Sequence, residues 1–331
     1  MKILYAIQGT GNGHLARATE IVPLLRDLGE TDVLVSGRSG DLELPFSVKY
    51  RFYGISFAFG EKGGVDLWKT LIKFRWHLFL KNIIQLPVKN YDLVISDFEP
   101  VSAWACKLRG KKCIGLSHQN AVLHPDASKP NKKSWVGKFI LKHYAPSNPR
   151  YGFHFKQLDR QNFTPVIRTA IRQSAFTTKN HYTVYLPAYS NSQIEIVLSQ
   201  FPDVKWEVFS KHSKSSYTSG NISFQPVSAE GFNHSFIGCK GILCTAGFET
   251  PAEAIFMGKK LCVVPIKNQY EQLCNAAFLE HMGIKVLPGL LQSKNDLQHW
   301  LNQNNALQIA YPDITREVLA RIMDKHFRAD L

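Results

Sequence analysis

The stretch CTAGFETPAEAIFMGKKLCVVPIKNQYEQLCNAAFLEHMG, residues 244–283, carries the pattern that decides the fold. Apolar runs at 241–244 and 260–265 are typical of buried strands, and the segment between them has helical character. Thr250 is expected to be the N-cap of that helix, with Pro251 at its first position. This strand, helix, strand order predicts an α/β fold built on a parallel sheet.

A glycine turn at residues 246–247 precedes this helix at the carboxyl end of a strand. The unpaired N–H groups of a helix N-terminus and the positive end of its dipole suit a phosphate group. Capped strand–helix–strand units are common in α/β proteins. The turn alone therefore does not distinguish a phosphate-binding site from an ordinary structural turn.

Composition indicates a folded protein of two domains. The chain has 331 residues, more than one hydrophobic core usually serves. Its net charge of +14 favours an anionic partner, which is a nucleic acid, an anionic lipid surface or a phosphorylated substrate.

Cysteine usage and the N-terminus bear on the compartment. The six cysteines contain no CxxC pair, so we expect free thiols, no zinc site and a reducing compartment. The first apolar run is too short for a signal peptide, and no run is long enough to span a membrane. A cytosolic location is therefore expected.

A second glycine turn follows the first strand, KILYAI at 2–7, and ends at His14. Helical periodicity then runs to Gly29. The turn does not match a dinucleotide fingerprint, because His14 replaces the last glycine and no acidic residue ends the second strand. A plain dinucleotide-dependent dehydrogenase is disfavoured.

Further strands are expected at 47–54, 91–96 and 112–117. The second of these ends in Asp97-Phe98-Glu99-Pro100, which places carboxylates at the sheet edge where open α/β folds bind ligands. Asp97 either orients a histidine base or caps the helix after Pro100. The Asp97–Glu99 spacing also has a superficial likeness to a DxD metal motif.

Taken in order, G-x-E-T-x-x-E-A-x-x-x-G at 247–258 and E-Q-x-x-N-A at 271–276 resemble the donor-nucleotide signature of inverting GT-B glycosyltransferases. The likeness is closest to the MurG-like enzymes of the UDP-glycosyltransferase superfamily. The turn ending in His14 is similar to their GTGGH turn, and the segment SHQN at 117–120 matches their HEQN segment in its last two residues. The resemblance covers about 250 residues in motif order.

The resemblance implies a GT-B fold, with two Rossmann-like domains and a cleft between them. Residues 1–155 would form the acceptor-side domain and residues 156–311 the nucleotide-sugar donor domain. A C-terminal helix within 312–331 would pack back on the first domain.

The resemblance also implies site residues. His14 would be the catalytic base and Asp97 its partner, with His118 as an alternative base. Acceptor-side residues would be Gly11, Asn12, Gly13, His118, Gln119 and Asn120. Donor-binding residues would be Ser190, Ser192, Phe224, Ala246, Gly247, Phe248, Glu249, Thr250, Glu253, Glu271 and Gln272.

Two of these assignments keep a structural alternative. Glu253 would hydrogen-bond the donor ribose, or it would close a capping box with Thr250. Ser192 would bind the donor diphosphate, or it would cap the helix that follows.

The implied reaction is an inverting transfer from a UDP-sugar to an acceptor glycan or lipid-linked sugar, and the resemblance suggests cell-envelope glycan or glycolipid synthesis as its setting. Thr245 stands where related retaining enzymes carry a glutamate, which favours inversion, and no metal or other cofactor is expected. Alternatives are a sugar-nucleotide epimerase or hydrolase on the same fold, or a non-catalytic protein that binds nucleotide sugars or nucleic acid.

Two basic-aromatic segments, 67–89 and 132–144, have helical character. Such helices either lie on an anionic membrane or pack on the core with solvated lysines. No nucleic-acid-binding motif is present, so a nucleic-acid partner is not expected.

Overall fold

The computed structural model describes residues 1–37, 40, 42–54, 75–130 and 134–327, and the chain there forms two parallel-rich sheets flanked by helices. The first sheet comprises β1 (Lys2–Gln8), β2 (Glu30–Ser36), β3 (Tyr50–Phe52), β4 (Leu93–Asp97), β5 (Ile114–Leu116), β6 (Arg150–Phe153) and β7 (Asn162–Phe163). Its helices are α1 (Asn12–Leu28), α2 (Trp76–Gln85), α3 (Pro100–Leu108), α4 (His118–Val122) and α5 (Trp135–His143).

The strand order of the first sheet is β3-β2-β1-β4-β5-β6-β7, and its pairings are parallel. The central strands are continuous apolar runs because helices cover both faces. The register places Ile7 beside Asp97 and Gln8 beside Ser36. The glycine turn after β1 and the acidic end of β4 therefore meet at one edge.

The second sheet repeats this plan in the order β10-β11-β9-β8-β12-β13-β14. Its strands are β8 (Tyr182–Tyr185), β9 (Trp206–Ser210), β10 (Tyr217–Ser219), β11 (Ile222–Pro226), β12 (Gly241–Thr245), β13 (Lys260–Val264) and β14 (Lys285–Val286). After the short connecting helix α6 (Thr169–Arg172) come α7 (Asn191–Leu198), α8 (Ala229–Gly238), α9 (Glu249–Phe256), α10 (Tyr270–His281), α11 (Lys294–Asn302) and α12 (Thr315–His326). The two sheets confirm the predicted pair of Rossmann-like domains.

The boundary region and the last helix connect the two domains. β7 adds a strand to the first sheet at residues 162–163, beyond the predicted boundary at 155. α12 packs against α1, and Arg316 donates a 2.7 Å hydrogen bond to Asp27. One hydrophobic cluster runs through α1, α9 and α12, so the domains share part of their core. Residues 328–331 of the predicted C-terminal segment lie outside the described residues.

The two basic-aromatic segments are helical where the structure describes them. α2 occupies 76–85 and α5 occupies 135–143, whereas residues 67–74 and 132–133 lie outside the described ranges. No helix in the described part of the chain has both the length and the apolar character needed to cross a bilayer.

Candidate active site

The loops at the carboxyl ends of the two sheets line a single cleft of about 1370 Å³. The first domain contributes the glycine turn and the start of α1, together with Phe98 and Gln119. The second domain contributes the loops after β8, β11 and β12 and the start of α10. A site at the carboxyl edges of parallel strands is the one that open α/β folds use for ligands.

His14 lies in the first turn of α1 and contacts the end of β4. Its Nδ1 is 2.9 Å from Asp97 Oδ1. Arg17 Nη2 also lies 3.0 Å from this nitrogen. Because the ionised Asp97 carboxylate only accepts, its contact is a hydrogen bond when Nδ1 carries the proton, and Nε2 then keeps its lone pair. Nε2 lies 3.2 Å from Nε2 of Gln119, another cleft residue. The two residues predicted to be base and partner are thus brought together, and the Asp97 contact favours the tautomer that a base requires.

The surrounding charges favour a proton on His14 and an ionised carboxylate on Asp97. Burial alone would lower the pKa of His14, but the charge and hydrogen bond of Asp97 raise that pKa overall. Burial alone would raise the pKa of Asp97, but the charges of Arg17 and His14 lower it overall. Asp97 is therefore an ionised partner for a basic imidazole.

Arg17 is a site residue that the sequence analysis did not identify. Its side chain is buried and donates to both Asp97 oxygens, from Nη2 to Oδ1 at 2.6 Å and from Nε to Oδ2 at 3.2 Å. Nη1 donates to Oε1 of Glu249 in the other domain. The available signal was spacing, since Arg17 is three residues after His14 and shares its helix face.

The capping role considered for Asp97 is wrong, because Glu99 caps α3. Glu99 accepts hydrogen bonds from Val101 N at 2.7 Å and Ser102 N at 2.6 Å. Phe98 has φ 55°, so the chain turns after β4 and brings Glu99, not Asp97, to the helix start. Both carboxylates of the DxD-like sequence therefore have protein partners.

His118 belongs to a hydrogen-bond chain between the domains. Its Nδ1 lies 2.8 Å from the Phe153 carbonyl oxygen, and its Nε2 lies 2.7 Å from Asn275 Oδ1. Asn275 Nδ2 in turn donates to the Ala246 carbonyl oxygen at 3.1 Å. Burial lowers the pKa of His118, and its ring stacks on Phe248. Because burial lowers the pKa of His118 whereas Asp97 raises that of His14, His118 fits the base role less well than His14 does.

The other acceptor-side residues divide into two groups. Gly11, Asn12 and Gly13 line the cleft, and Asn12 also donates to the Tyr185 hydroxyl of the second domain at 3.2 Å. Asn120 is not among the cleft-lining residues and instead donates to the Tyr151 carbonyl oxygen at 3.0 Å.

On the donor side, α9 begins earlier than the sequence suggested. Phe248 occupies the N-cap position with helical backbone angles and no side-chain cap, and Glu249 is the first helical residue. The prediction of Thr250 as the N-cap is therefore wrong. Gly247, Phe248, Glu249 and Thr250 all line the cleft at this helix start.

Glu253 also departs from the capping box. Its buried carboxylate receives hydrogen bonds of 2.7 Å from both Nε and Nη2 of Arg168, which lies just before α6. A bidentate ion pair with arginine is stronger than a helix-cap bond, so it takes the carboxylate. Glu253 remains a cleft-lining residue.

The remaining donor-side residues are distributed unevenly. Glu271, Gln272, Ser190 and Ser192 line the cleft, and Gln119 of the first domain donates to Glu271 Oε2 at 2.8 Å. Ser190, and not Ser192, caps α7 in a complete capping box with Gln193. Ala246 and Phe224 are buried and are not among the lining residues, and Phe224 packs in the core of the second domain.

The comparisons with known proteins agree with this architecture. A family model described as glycosyl transferase family 1 matches residues 1–304. The chain belongs to this glycosyltransferase family. No curated protein sequence matches it.

Solved structures share the fold of this glycosyltransferase at low identity. A UDP-glucosyltransferase from Polygonum tinctorium has a TM-score of 0.59 at 14% identity, covering 99% of this chain and 93% of that one. MurG from Acinetobacter baumannii has a TM-score of 0.52 at 15% identity, covering 98% and 99%. The glycotransferase of kitacinnamycin has a TM-score of 0.54 at 13% identity, covering 99% and 95%. The glycosyltransferase therefore has the GT-B fold, with its cleft between two Rossmann-like domains.

Within the part of the glycosyltransferase that the structure describes, no group of three or more His, Cys, Asp or Glu side chains is arranged to hold a metal ion.

Proposed function

We propose that the protein is an inverting glycosyltransferase that moves a sugar from a nucleotide sugar, a UDP-sugar by resemblance, to an acceptor hydroxyl. The observation that carries this proposal is the His14–Asp97 pair, with Nδ1 and Oδ1 2.9 Å apart at the cleft. An imidazole held in one tautomer by a buried carboxylate is the arrangement that deprotonates a hydroxyl nucleophile.

The transfer step uses one group from each domain. His14 Nε2 accepts the proton of the acceptor hydroxyl, whose oxygen attacks the anomeric carbon. The bond from that carbon to the diphosphate oxygen breaks, and the nucleoside diphosphate leaves with the electron pair. The start of α9 is open to the cleft and offers N–H groups to the charge that develops on the leaving group.

Donor binding is assigned to the second domain. Ser190 and Ser192 at the start of α7 would donate to the diphosphate, and Glu271 and Gln272 would contact the sugar. Glu253 would receive the ribose hydroxyls on carboxylate lone pairs that Arg168 leaves free. We propose that no resident metal takes part, since Asp97 and Glu99 both serve protein contacts.

The experiment is a transfer assay with a panel of nucleotide sugars, preceded by thermal-shift screening to find the donor. A bound donor should raise Tm, because it binds the folded state alone. His14→Ala should lower kcat/KM by about 10²–10⁴-fold while keeping the Tm rise, because it removes the base and leaves the donor site intact. His299→Ala, an exposed histidine on α11, is the matched control.

Three outcomes would contradict the proposal. Full transfer activity in His14→Ala would exclude this base. A product with the anomeric configuration of the donor would exclude inversion. Free isomerised sugar, or nucleoside diphosphate released at full rate without acceptor, would favour the epimerase or hydrolase alternative.

We further propose that the first domain contacts an anionic membrane, in line with a lipid-linked acceptor in cell-envelope synthesis. α2 exposes Trp76, Leu80 and Ile84 on one face, and α5 exposes Trp135 and Phe139. Exposed lysines at positions 81, 138 and 142 accompany them. Apolar side chains flanked by lysines suit the boundary of an anionic bilayer. The six buried free thiols agree with a location on the reducing, cytosolic side.

Co-sedimentation with vesicles tests this contact. Binding to vesicles containing phosphatidylglycerol should exceed binding to phosphatidylcholine alone and should weaken with salt. Trp135→Ser should reduce binding, whereas Ile196→Ser, which removes an exposed apolar residue from α7, should not. Equal binding by both variants, or no binding at low salt, would reject the membrane contact.

A further inference from the structure

The Arg17 guanidinium is shared by two carboxylates from different domains. It donates to Asp97 beside the base, and its Nη1 donates to Glu249, the first residue of α9 in the donor domain. The side chains of Arg17 and Glu249 are only 1% and 18% exposed. Charges withdrawn from water in this way are weakly screened, so each one affects its neighbours strongly.

The glycine turn leaves room for this contact. A methyl group at Gly13 would place its carbon 2.5 Å from Glu249 Oε2, closer than the two atoms can approach. An alanine at this position would therefore require the end of the Glu249 side chain to move from its present place beside Arg17. The glycine next to the base thus provides space for the Glu249 side chain of the other domain.

The formal charges show what Glu249 adds. Without Glu249, the charges of Asp97 and Arg17 cancel, and a proton on His14 leaves the group with a positive charge. With Glu249 in place, the group is negative while His14 is neutral and becomes neutral when His14 gains a proton. The proposed transfer step puts a proton on His14, so Glu249 stabilises the state formed in that step.

From this geometry we infer that Glu249 is a positioning residue for the base, which acts through Arg17 to strengthen the proton affinity of His14. Its role in catalysis rests on the proposed function. Its effect on the proton affinity of His14 is present with or without transferase activity.

Other groups near His14 do not replace this role. Glu271 reaches His14 only through the Gln119 amide, and burial lowers the pKa of His118. After burial and Asp97, which have the larger effects, Arg17 lowers the pKa of His14 and Glu249 raises it. Among the described residues, the charged and titratable groups around the base are Tyr5 (β1), Arg17 (α1), Asp97 (β4), His118 (α4), Glu249 (α9) and Glu271 (α10).

The test is an NMR titration of the full chain labelled at histidine, with the His14 signal assigned by its loss in His14→Ala. In Glu249→Gln the titration midpoint of His14 should move to lower pH. Gly13→Ala keeps every charge but requires the end of the Glu249 side chain to move away from the added methyl group, so it should move the midpoint in the same direction by a smaller amount. Glu43→Gln removes an exposed cleft carboxylate that makes no ion pair with Arg17 and should cause a smaller change.

The two proposals can fail separately. An unchanged His14 midpoint in Glu249→Gln, with the fold intact by circular dichroism, would overturn the role of Glu249. A midpoint that falls in both Glu249→Gln and Gly13→Ala supports it. If no donor and acceptor pair supports transfer while the midpoint still falls, the proposed function fails and the electrostatic coupling remains.

Discussion

At the scale of single residues, the proton affinity of His14 governs the proposed chemistry. The neutral imidazole is the active form of a base, and Asp97 raises the pKa of His14 overall, against burial, above the ordinary value of 6.5. We therefore predict that kcat/KM rises with pH through a midpoint above 6.5. A pH–rate profile measures this midpoint. An acid limb centred below 6.5 would contradict the electrostatic account of His14.

Asp97 is also predicted to stabilise the fold. Its Asn variant leaves the buried Arg17 without its main counter-charge, so the free energy of unfolding should fall by about 3–5 kcal/mol. Denaturant unfolding measures the loss. Asp92→Asn, an exposed carboxylate that accepts a backbone bond from Lys2, should change little. A near-zero effect of Asp97→Asn would mean that Glu249 alone compensates Arg17.

The pH dependence of that stability has a defined sign. The folded-state pKa of Asp97 is lowered, so its contribution is present above the unfolded pKa and is lost as pH falls through the folded pKa. The Asn variant should lack this acid-dependent component, and unfolding measured at several pH values separates the two proteins.

At the scale of elements, the two serines at the start of α7 are predicted to differ in stability effect. Ser190 accepts a hydrogen bond from Gln193 N, and Gln193 Oε1 accepts one from Ser190 N at 3.0 Å. Ser190→Ala should therefore cost about 1 kcal/mol of stability. Ser192→Ala, two residues further along the chain, removes no cap and is the matched control. Equal losses of Tm in the two variants would contradict the capping assignment.

At the scale of the whole molecule, α12 packs against the first domain and stabilises the arrangement of the two domains. Leu319 on its inner face is 1% exposed, whereas the Arg316–Asp27 pair lies on the surface with side chains more than half exposed. Leu319→Ala should cost about 2–5 kcal/mol. Arg316→Ala should cost at most about 1 kcal/mol, because exposed ion pairs contribute little. Denaturation curves that rank the two variants in the opposite order would contradict the shared core.

The sequence by itself determined the two α/β domains and much of the cleft. Continuous apolar runs ending in glycine turns specify buried parallel strands, and the carboxyl ends of such strands meet at one edge. That rule placed His14 beside Asp97, and the resemblance to GT-B glycosyltransferases placed Gly247 across a cleft from them.

Only the tertiary structure decided which partner each polar side chain takes. Asp97 was free to cap a helix or to hold a histidine, and the turn at Phe98 gave the cap to Glu99. Glu253 pairs with Arg168 and not with the helix start, and Arg17 forms ion pairs with both Asp97 and Glu249 across the cleft. The partners of Asp97, Glu249 and Glu253 are charges distant in sequence that folding brings together, where low solvent exposure strengthens their mutual attraction.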